Sequence, residues 1–252
     1  MFRPDPLLAQ PKLLDFNAPS IVALIEARGW AALDEGERAR VAYDFVRDEV
    51  VFGYNHDDAI PASRVLSDGY GQCNTKGTLL MALFRALGLR CRLHGFTIHK
   101  ALQRGVVPEA VYPIAPDEIL HSWVEVEIQD RWVVLEGFIL DTPFLERLQA
   151  AFARQDSPCG YGAGTDCLSA PPVAWSGRDT YIQKTGITRD LGTFDNPDAF
   201  YVEHTQRFGM LRALAYRYVI RHWMNARVRS IRTGRVPGID VTHSHAGEAH
   251  GA

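Results

Sequence analysis

The sequence predicts an α+β fold in which an amphipathic helix packs on an antiparallel β-sheet. Apolar residues recur at helical spacing at positions 79, 80, 83, 84 and 87, which indicates a helix with one apolar face. Polar and apolar residues alternate over residues 121–128, as is typical of a half-buried strand. A second apolar run covers residues 132–138. The short polar turn between the two runs favours an antiparallel hairpin.

The first third of the chain predicts mainly helices. Residues 1–18 are expected to be an extended lead-in, and residues 19–28 a short helix with Pro19 in its first turn. A second helix is predicted from Asp34 to about Val50, because Asp34 and Glu37 form the pattern of a capping box. Its apolar face comprises Val41, Phe45, Val46 and Val50. Residues 63–66 are predicted to form one helical turn.

A glycine-containing loop, residues 70–72, delivers Cys73 to the first turn of the central helix. The first backbone N–H groups of a helix are unpaired and carry the positive end of its dipole. Both features favour a thiolate, which is the nucleophilic form of cysteine. Gly88 stands where a glycine commonly ends a helix. The alternative is that Cys73 only fills the core.

The sequence patterns of the remaining segments are less regular. Residues 90–99 form a strand, residues 100–118 an irregular insertion with three prolines, and residues 141–152 a helix. Residues 155–198 are expected to be irregular, which in a compact domain usually indicates a functional or mobile segment. A single long helix is predicted over residues 198–232, with an apolar stripe of Phe208, Leu211, Ala215, Tyr218 and Val219.

We therefore expect four regions. Residues 1–34 are a lead-in with a short helix, and residues 35–145 are a catalytic core. Residues 146–235 are a C-terminal extension that packs on the core, and residues 236–252 are a disordered tail.

A thiolate nucleophile needs a base within hydrogen-bond reach and a third group that orients the base. His121 begins the predicted strand, and Glu136 is the only acidic residue in the neighbouring run. A two-residue loop at 130–131 would place Glu125 opposite Glu136, an unfavourable pair of like charges. A four-residue loop at 128–131 instead brings Glu136 diagonal to His121, and we favour this register. Asp141 is the second candidate for the orienting residue.

These motifs, in this order, resemble the transglutaminase-like superfamily. The resemblance rests on four segments, residues 70–73, 88–92, 121–126 and 132–136, and extends over residues 35–145. It implies a papain-like α+β fold and a Cys–His–Asp triad, with Cys73 as nucleophile and His121 as base. Glu136 stands where the family usually has aspartate. Asn74 stands where the cross-linking enzymes have tryptophan.

The implied chemistry is acyl transfer through a thioester on Cys73. The oxyanion would be met by the Cys73 N–H, with Gln72 or Tyr70 as a further donor. Trp123 is a candidate substrate contact, with packing in the hairpin as its alternative. We favour amidase- or peptidase-like hydrolysis, because the chain shows one compact core and no second module. An amide-forming acyltransferase or cyclase, and a catalytically silent binding or scaffold protein, are the alternatives.

The composition of the chain indicates which classes of binding partner to expect. The 252 residues are 46% hydrophobic and carry a net charge of −3, which gives no attraction to nucleic acid or an anionic membrane. No apolar run approaches the ~18 residues of a membrane span, and four cysteines are too few for a disulfide framework. We expect a cytoplasmic enzyme without metal or cofactor. Its substrate is a small molecule or peptide with an amide or other acyl group, and the long helix is compatible with a homodimer.

Overall fold

The computed structural model describes residues 5–153, 159–205 and 209–238. Its centre is an antiparallel sheet of four strands, β3 (Cys91–His99), β4 (Glu118–Ile128), β5 (Arg131–Leu135) and β8 (Ile187–Phe194), in the order β5-β4-β3-β8. The central helix, α4 (Cys73–Ala86), packs on β4. The predicted α+β fold with a helix on an antiparallel sheet is confirmed.

Three helices precede the central one, α1 (Pro19–Arg28), α2 (Glu35–Asp48) and α3 (Ala62–Asp68). Asp34 caps α2, its side chain accepting the N–H of Glu37 at 2.9 Å. Both α2 and α3 pack against α4. Two short strands, β1 (Val51–Phe52) and β2 (Tyr70–Gly71), stand before and after α3 in the chain and pair in parallel. Strand β2 leads into α4.

Helix α4 is buried on all sides from Cys73 to Arg85. A helix that is buried all round belongs to the interior of a domain, and here α2, α3 and the sheet enclose it. Gly77 faces the sheet, where an added Cβ would make an ordinary van der Waals contact with Val124 Cγ2 at 3.5 Å. Gly88, with φ +76°, provides the left-handed backbone that follows the helix end.

The hairpin of β4 and β5 differs from the prediction in its turn. Ile128 pairs with Arg131, so the turn contains only Gln129 and Asp130, with φ of 50° and 59°. Two residues with positive φ match the right-handed twist of a hairpin. The predicted four-residue loop was therefore wrong in length. Its register was right, because position 127 pairs with Trp132.

The strand that contains His121 is longer than predicted. It begins at Glu118, which pairs with His99, so His121 lies inside β4 and not at its start. The extension of β3 to His99 provides the additional backbone partners for residues 118–120.

The C-terminal extension contains more regular structure than predicted. After α5 (Thr142–Ala151) come a small hairpin, β6 (Cys159–Gly160) with β7 (Ala163–Gly164), and the strand β8. The prediction of an irregular segment was wrong for β8, whose backbone is paired along β3. None of the described helices has the length and hydropathy of a membrane span.

The predicted single helix over 198–232 was also wrong. The structure has α6 (Pro197–Glu203), α7 (Met210–Ala215), a π-helical turn (Tyr216–Ile220) and α8 (Arg221–Arg232). The extra residue of a π-turn rotates the helix face, so Tyr218 and Val219 are 64% and 61% exposed. Met224, Val228 and Ile231 are buried instead. Phe208 and most of the predicted tail, residues 239–252, lie outside the described residues.

Side chains of the C-terminal helices hold the segment that follows β1. Tyr216 donates its hydroxyl to the Asn55 carbonyl at 3.2 Å. Asn225 binds both the N–H and the carbonyl of Tyr54, at 2.7 and 3.0 Å. Arg232 donates to the Phe52 carbonyl at 3.1 Å. The extension therefore supports the strand pair that leads to Cys73.

Replacing Asp141 tests this support. Asp141 has no exposed surface, caps α5 through the Phe144 N–H, and forms an ion pair with Arg232 at 2.6 Å. Asp141→Ala should lower the free energy of unfolding by about 3 kcal/mol in urea denaturation, since a buried charge loses its partner. Glu49→Ala, which removes an exposed ion pair with Arg28, should change it far less. Equal effects would contradict the assignment.

Lys76 makes stability depend on pH. Lys76 lies in α4 and is buried, and its ammonium group donates to the carbonyls of Arg47 and Ile139. Burial lowers the pKa of Lys76 to about 7, whereas an unfolded lysine has about 10.4. Between these values the unfolded state binds more protons, so stability rises with pH.

Urea denaturation between pH 7 and 10 should show this rise weakened in Lys76→Met, by up to about 1.4 kcal/mol per pH unit. Lys12→Met, at an exposed position, should keep the wild-type slope. An unchanged slope in Lys76→Met would show that Lys76 stays protonated in the folded protein.

Candidate active site

Cys73 is the first residue of α4 and retains 8% exposure. The turn before it is tight, because a Cβ on Gly71 would lie 2.6 Å from Thr75 Oγ1 and 2.9 Å from Lys76 Cγ. Only glycine fits that close approach, which explains its place two residues before the cysteine. Cys73 lies in the first turn of the central helix as predicted, but the helix is buried on all sides and not on one apolar face.

His121 lies beside Cys73 and has no exposed surface. Its Nε2 is 2.7 Å from Glu136 Oε1. Its Nδ1 is buried, with no nitrogen or oxygen partner among the described residues. Burial lowers the pKa of His121, but the charges and hydrogen bonds of Cys73 and Glu136 outweigh this and raise it to about 10. The contacts with Cys73 and Glu136 therefore favour the protonated, imidazolium form of His121.

Glu136 is held from the other side by a segment that the sequence did not indicate. Its Oε2 accepts the backbone N–H groups of Ile182 and Gln183, at 2.8 and 2.9 Å. Its own N–H donates to the Thr180 carbonyl at 3.1 Å. Glu136 has no exposed surface, so these donors compensate a buried charge. The only sequence signal for this role was the length of the irregular segment.

Asp141, the second candidate for orienting His121, is engaged elsewhere. Its carboxylate accepts from Arg232 and from the N–H groups of Phe52 and Phe144. Asp141 therefore caps α5 and joins it to Arg232 of α8. The structure brings Glu136, not Asp141, to the histidine.

Gln72 and Tyr70, predicted to assist at the oxyanion, flank the loop but have other contacts. The Gln72 side chain donates to Asp58 Oδ1 at 2.5 Å and accepts from the N–H of Asn55 and the hydroxyl of Thr75. The Tyr70 ring lies over Gly53, where an added Cβ would be 3.0 Å from Tyr70 Cδ2. Both side chains shape the loop that presents Cys73.

Trp123, predicted as a substrate contact, is packed in the sheet and only 8% exposed. Its ring centroid lies 4.1 Å from that of Phe96 and 5.9 Å from that of Tyr181. Its Nε1 donates to Glu125 at 3.2 Å. These contacts agree with the packing alternative.

Cys73 contacts His121, and His121 contacts Glu136. A thiol, a base and a carboxylate that orients the base are what nucleophilic catalysis by cysteine requires. Within the described ranges, no group of three or more His, Cys, Asp or Glu side chains is placed to hold a metal ion. A cysteine, a histidine and a carboxylate in contact can perform acid–base and nucleophilic chemistry.

Comparison with known proteins found similarity over the part of the chain that contains Cys73, His121 and Glu136. A model of the transglutaminase-like superfamily matches residues 26–137. The crystal structure of a candidate cysteine protease from Cytophaga hutchinsonii is similar at 12% identity and a TM-score of 0.44. The alignment covers 77% of this chain and 47% of that protein, so the chain spans about half of its length. Comparison with curated proteins gave no match.

Glu136→Gln tests the histidine–carboxylate contact. Removing the charge should lower the pKa of His121 from about 10 by at least one unit, because a hydrogen-bonded carboxylate favours the imidazolium. An NMR titration of labelled histidine would measure this. Glu125→Gln alters the similar pair with His94 and is the matched control. An unchanged His121 pKa in Glu136→Gln would contradict the contact.

Proposed function

Residues 26–137 belong to the transglutaminase-like superfamily, and from this premise we propose that the chain is a cysteine-dependent acyl-transfer enzyme. The observation that carries the proposal is the contact series Cys73–His121–Glu136, buried at the start of α4. The substrate is a small molecule or peptide with an amide or related acyl group.

The first half-reaction follows from the charges at the site. The Cys73 thiolate, stabilised by the N-terminus of α4 and by the imidazolium, attacks the substrate carbonyl carbon and forms an S–C bond. The negative charge moves to the carbonyl oxygen, which the Cys73 backbone N–H is placed to meet. When the C–N bond breaks, His121 gives its Nδ1 proton to the leaving amine, and a thioester remains.

The second half-reaction uses His121 as a base. The neutral imidazole takes a proton from the acceptor, which attacks the thioester carbonyl, and the S–C bond breaks to restore the thiolate. Glu136 keeps Nε2 in its hydrogen bond, so Nδ1 is the nitrogen that moves the proton. Water as acceptor gives hydrolysis, which we favour, and an amine as acceptor gives a new amide.

This proposal gives the C-terminal extension a part in catalysis. Ile182 and Gln183 donate their backbone N–H groups to the Glu136 carboxylate, and the Thr180 carbonyl accepts the Glu136 N–H. They lie outside the segment matched by the family model. The extension is thus a positioning element of the site.

Cys73→Ala should abolish turnover while the folded structure is kept, since the thiol forms the covalent intermediate. The assay is a peptide and amide mixture in ¹⁸O-labelled water, with products identified by mass spectrometry. Cys167→Ser, at an exposed cysteine, is the matched control and should retain turnover. Label in a new carboxylate indicates hydrolysis, and a new amide indicates transfer to an amine. Turnover that persists in Cys73→Ala would refute the proposal.

A further inference from the structure

Asp58 has a half-buried carboxylate that is hydrogen-bonded to the side chains of both residues that flank Cys73. Its Oδ1 accepts from Gln72 Nε2 at 2.5 Å, and its Oδ2 accepts from Asn74 Nδ2 at 3.1 Å. The carboxylate therefore lies at the start of α4, hydrogen-bonded to the residues on either side of Cys73. Neither the series of contacts to His121 nor the support of Glu136 uses it.

No cation compensates this carboxylate. Other enclosed carboxylates have a charged partner, as Asp141 has in Arg232 and Glu125 has in Arg92. In the part of the chain that the structure describes, Asp58 forms no ion pair with lysine, arginine or histidine. Its charged neighbour is Asp57, and burial together with that like charge raises the pKa of Asp58. A partly buried carboxylate in this setting favours a cation from outside.

A second observation points to a ligand at the same place. The Tyr201 hydroxyl is buried and has no hydrogen-bond partner among the described residues. Burial and the charges of Asp58 and Cys73 raise the pKa of Tyr201 well above its ordinary value, so the hydroxyl stays neutral. An unsatisfied buried hydroxyl is unusual and needs an explanation.

The packing of α6 explains how Tyr201 comes to this place. Phe200 lies over Gly95, where an added Cβ would be 2.4 Å from the ring. Gly95 pairs with Ser122, whose hydroxyl donates to Asn74 at 2.9 Å. Helix α6 therefore packs on β3 at the level of Ser122, whose hydroxyl contacts the residue that follows Cys73.

We propose that Asp58 and Tyr201 form a binding site for a protonated amino group on the acyl-donor substrate, next to the carbonyl that Cys73 attacks. The ammonium offers three N–H donors. The Asp58 oxygens and the Tyr201 hydroxyl oxygen are the acceptors, and Asp57 adds negative charge at the exposed entrance. This inference rests on the proposed function and names its substrate class, amino-substituted amides or acyl compounds.

The test uses thiol reagents that differ in charge, so it needs no known substrate. The 2-aminoethyl, methyl and 2-sulfonatoethyl methanethiosulfonates are cationic, neutral and anionic. The modification rate of Cys73 is measured with each reagent by peptide mass spectrometry. Exposed Cys167 serves as the internal reference. The variants are Asp58→Asn, which removes the charge, and Asp57→Asn, its exposed neighbour.

The cation-to-anion rate ratio at Cys73 should exceed that at Cys167 by about tenfold or more. Asp58→Asn should bring it close to the Cys167 value, and Asp57→Asn should lower it less. Tyr201→Phe, which removes only the unpartnered hydroxyl, should lower it partly. The rate with the neutral reagent should stay within about twofold in Tyr201→Phe and Asp57→Asn.

Two results would overturn the site, an equal ratio at Cys73 and Cys167, or a high ratio that Asp58→Asn and Tyr201→Phe leave unchanged. A fall in all three rates at Cys73 by the same factor in Asp58→Asn would also overturn it, since Asp58 would then only position the loop. Failure of the proposed function has a different result. The neutral reagent would then modify Cys73 no faster than Cys167, whatever the charge preference.

Discussion

The buried charge of Glu136 is the constraint on which the site depends. A carboxylate without exposed surface must be compensated by hydrogen bonds or an opposite charge. Here one oxygen meets His121 and the other meets two backbone N–H groups of the C-terminal extension. The catalytic core and the extension therefore share one electrostatic element. Loss of either side would leave a charge in the interior.

The same constraint explains why α4 can be buried so fully. The helix contacts β2, the sheet, α2 and α3, and its polar residues have internal partners. Asn74 joins Asp58 and Ser122, and Lys76 meets two carbonyls. These contacts leave Cys73 little freedom of position. The thiol alone, of the three proposed catalytic side chains, retains some exposure.

Local chemistry allowed much of the core to be predicted. The Asp34 cap, the first residue of α4 and the hairpin register follow from side-chain patterns within a few residues. The contact of His121 with Glu136 followed from that register, because alternation and like-charge repulsion excluded the competing one.

The errors arise where distant contacts decide the structure. Strand β8 has no strong alternation and is formed by its pairing with β3, whose paired residues are 89 or more positions away in the chain. The π-helical turn at Tyr216–Ile220 shifts the face of the C-terminal helix, and no residue pattern indicates such a turn. The hold of residues 180–183 on Glu136 uses backbone groups, which every sequence possesses. The roles assigned to Gln72, Tyr70 and Trp123 remain predictions, and their contacts favour support of the site.

The central claim is that His121 converts Cys73 to a thiolate, and one measurement tests it most directly. The iodoacetamide alkylation rate of each cysteine is measured against pH, in the wild type and in His121→Ala, and located by peptide mass spectrometry. The account predicts that Cys73 reacts faster than Cys91, Cys159 and Cys167 at neutral pH, and that His121→Ala removes this advantage. Equal behaviour of Cys73 and exposed Cys167 in both proteins would contradict it.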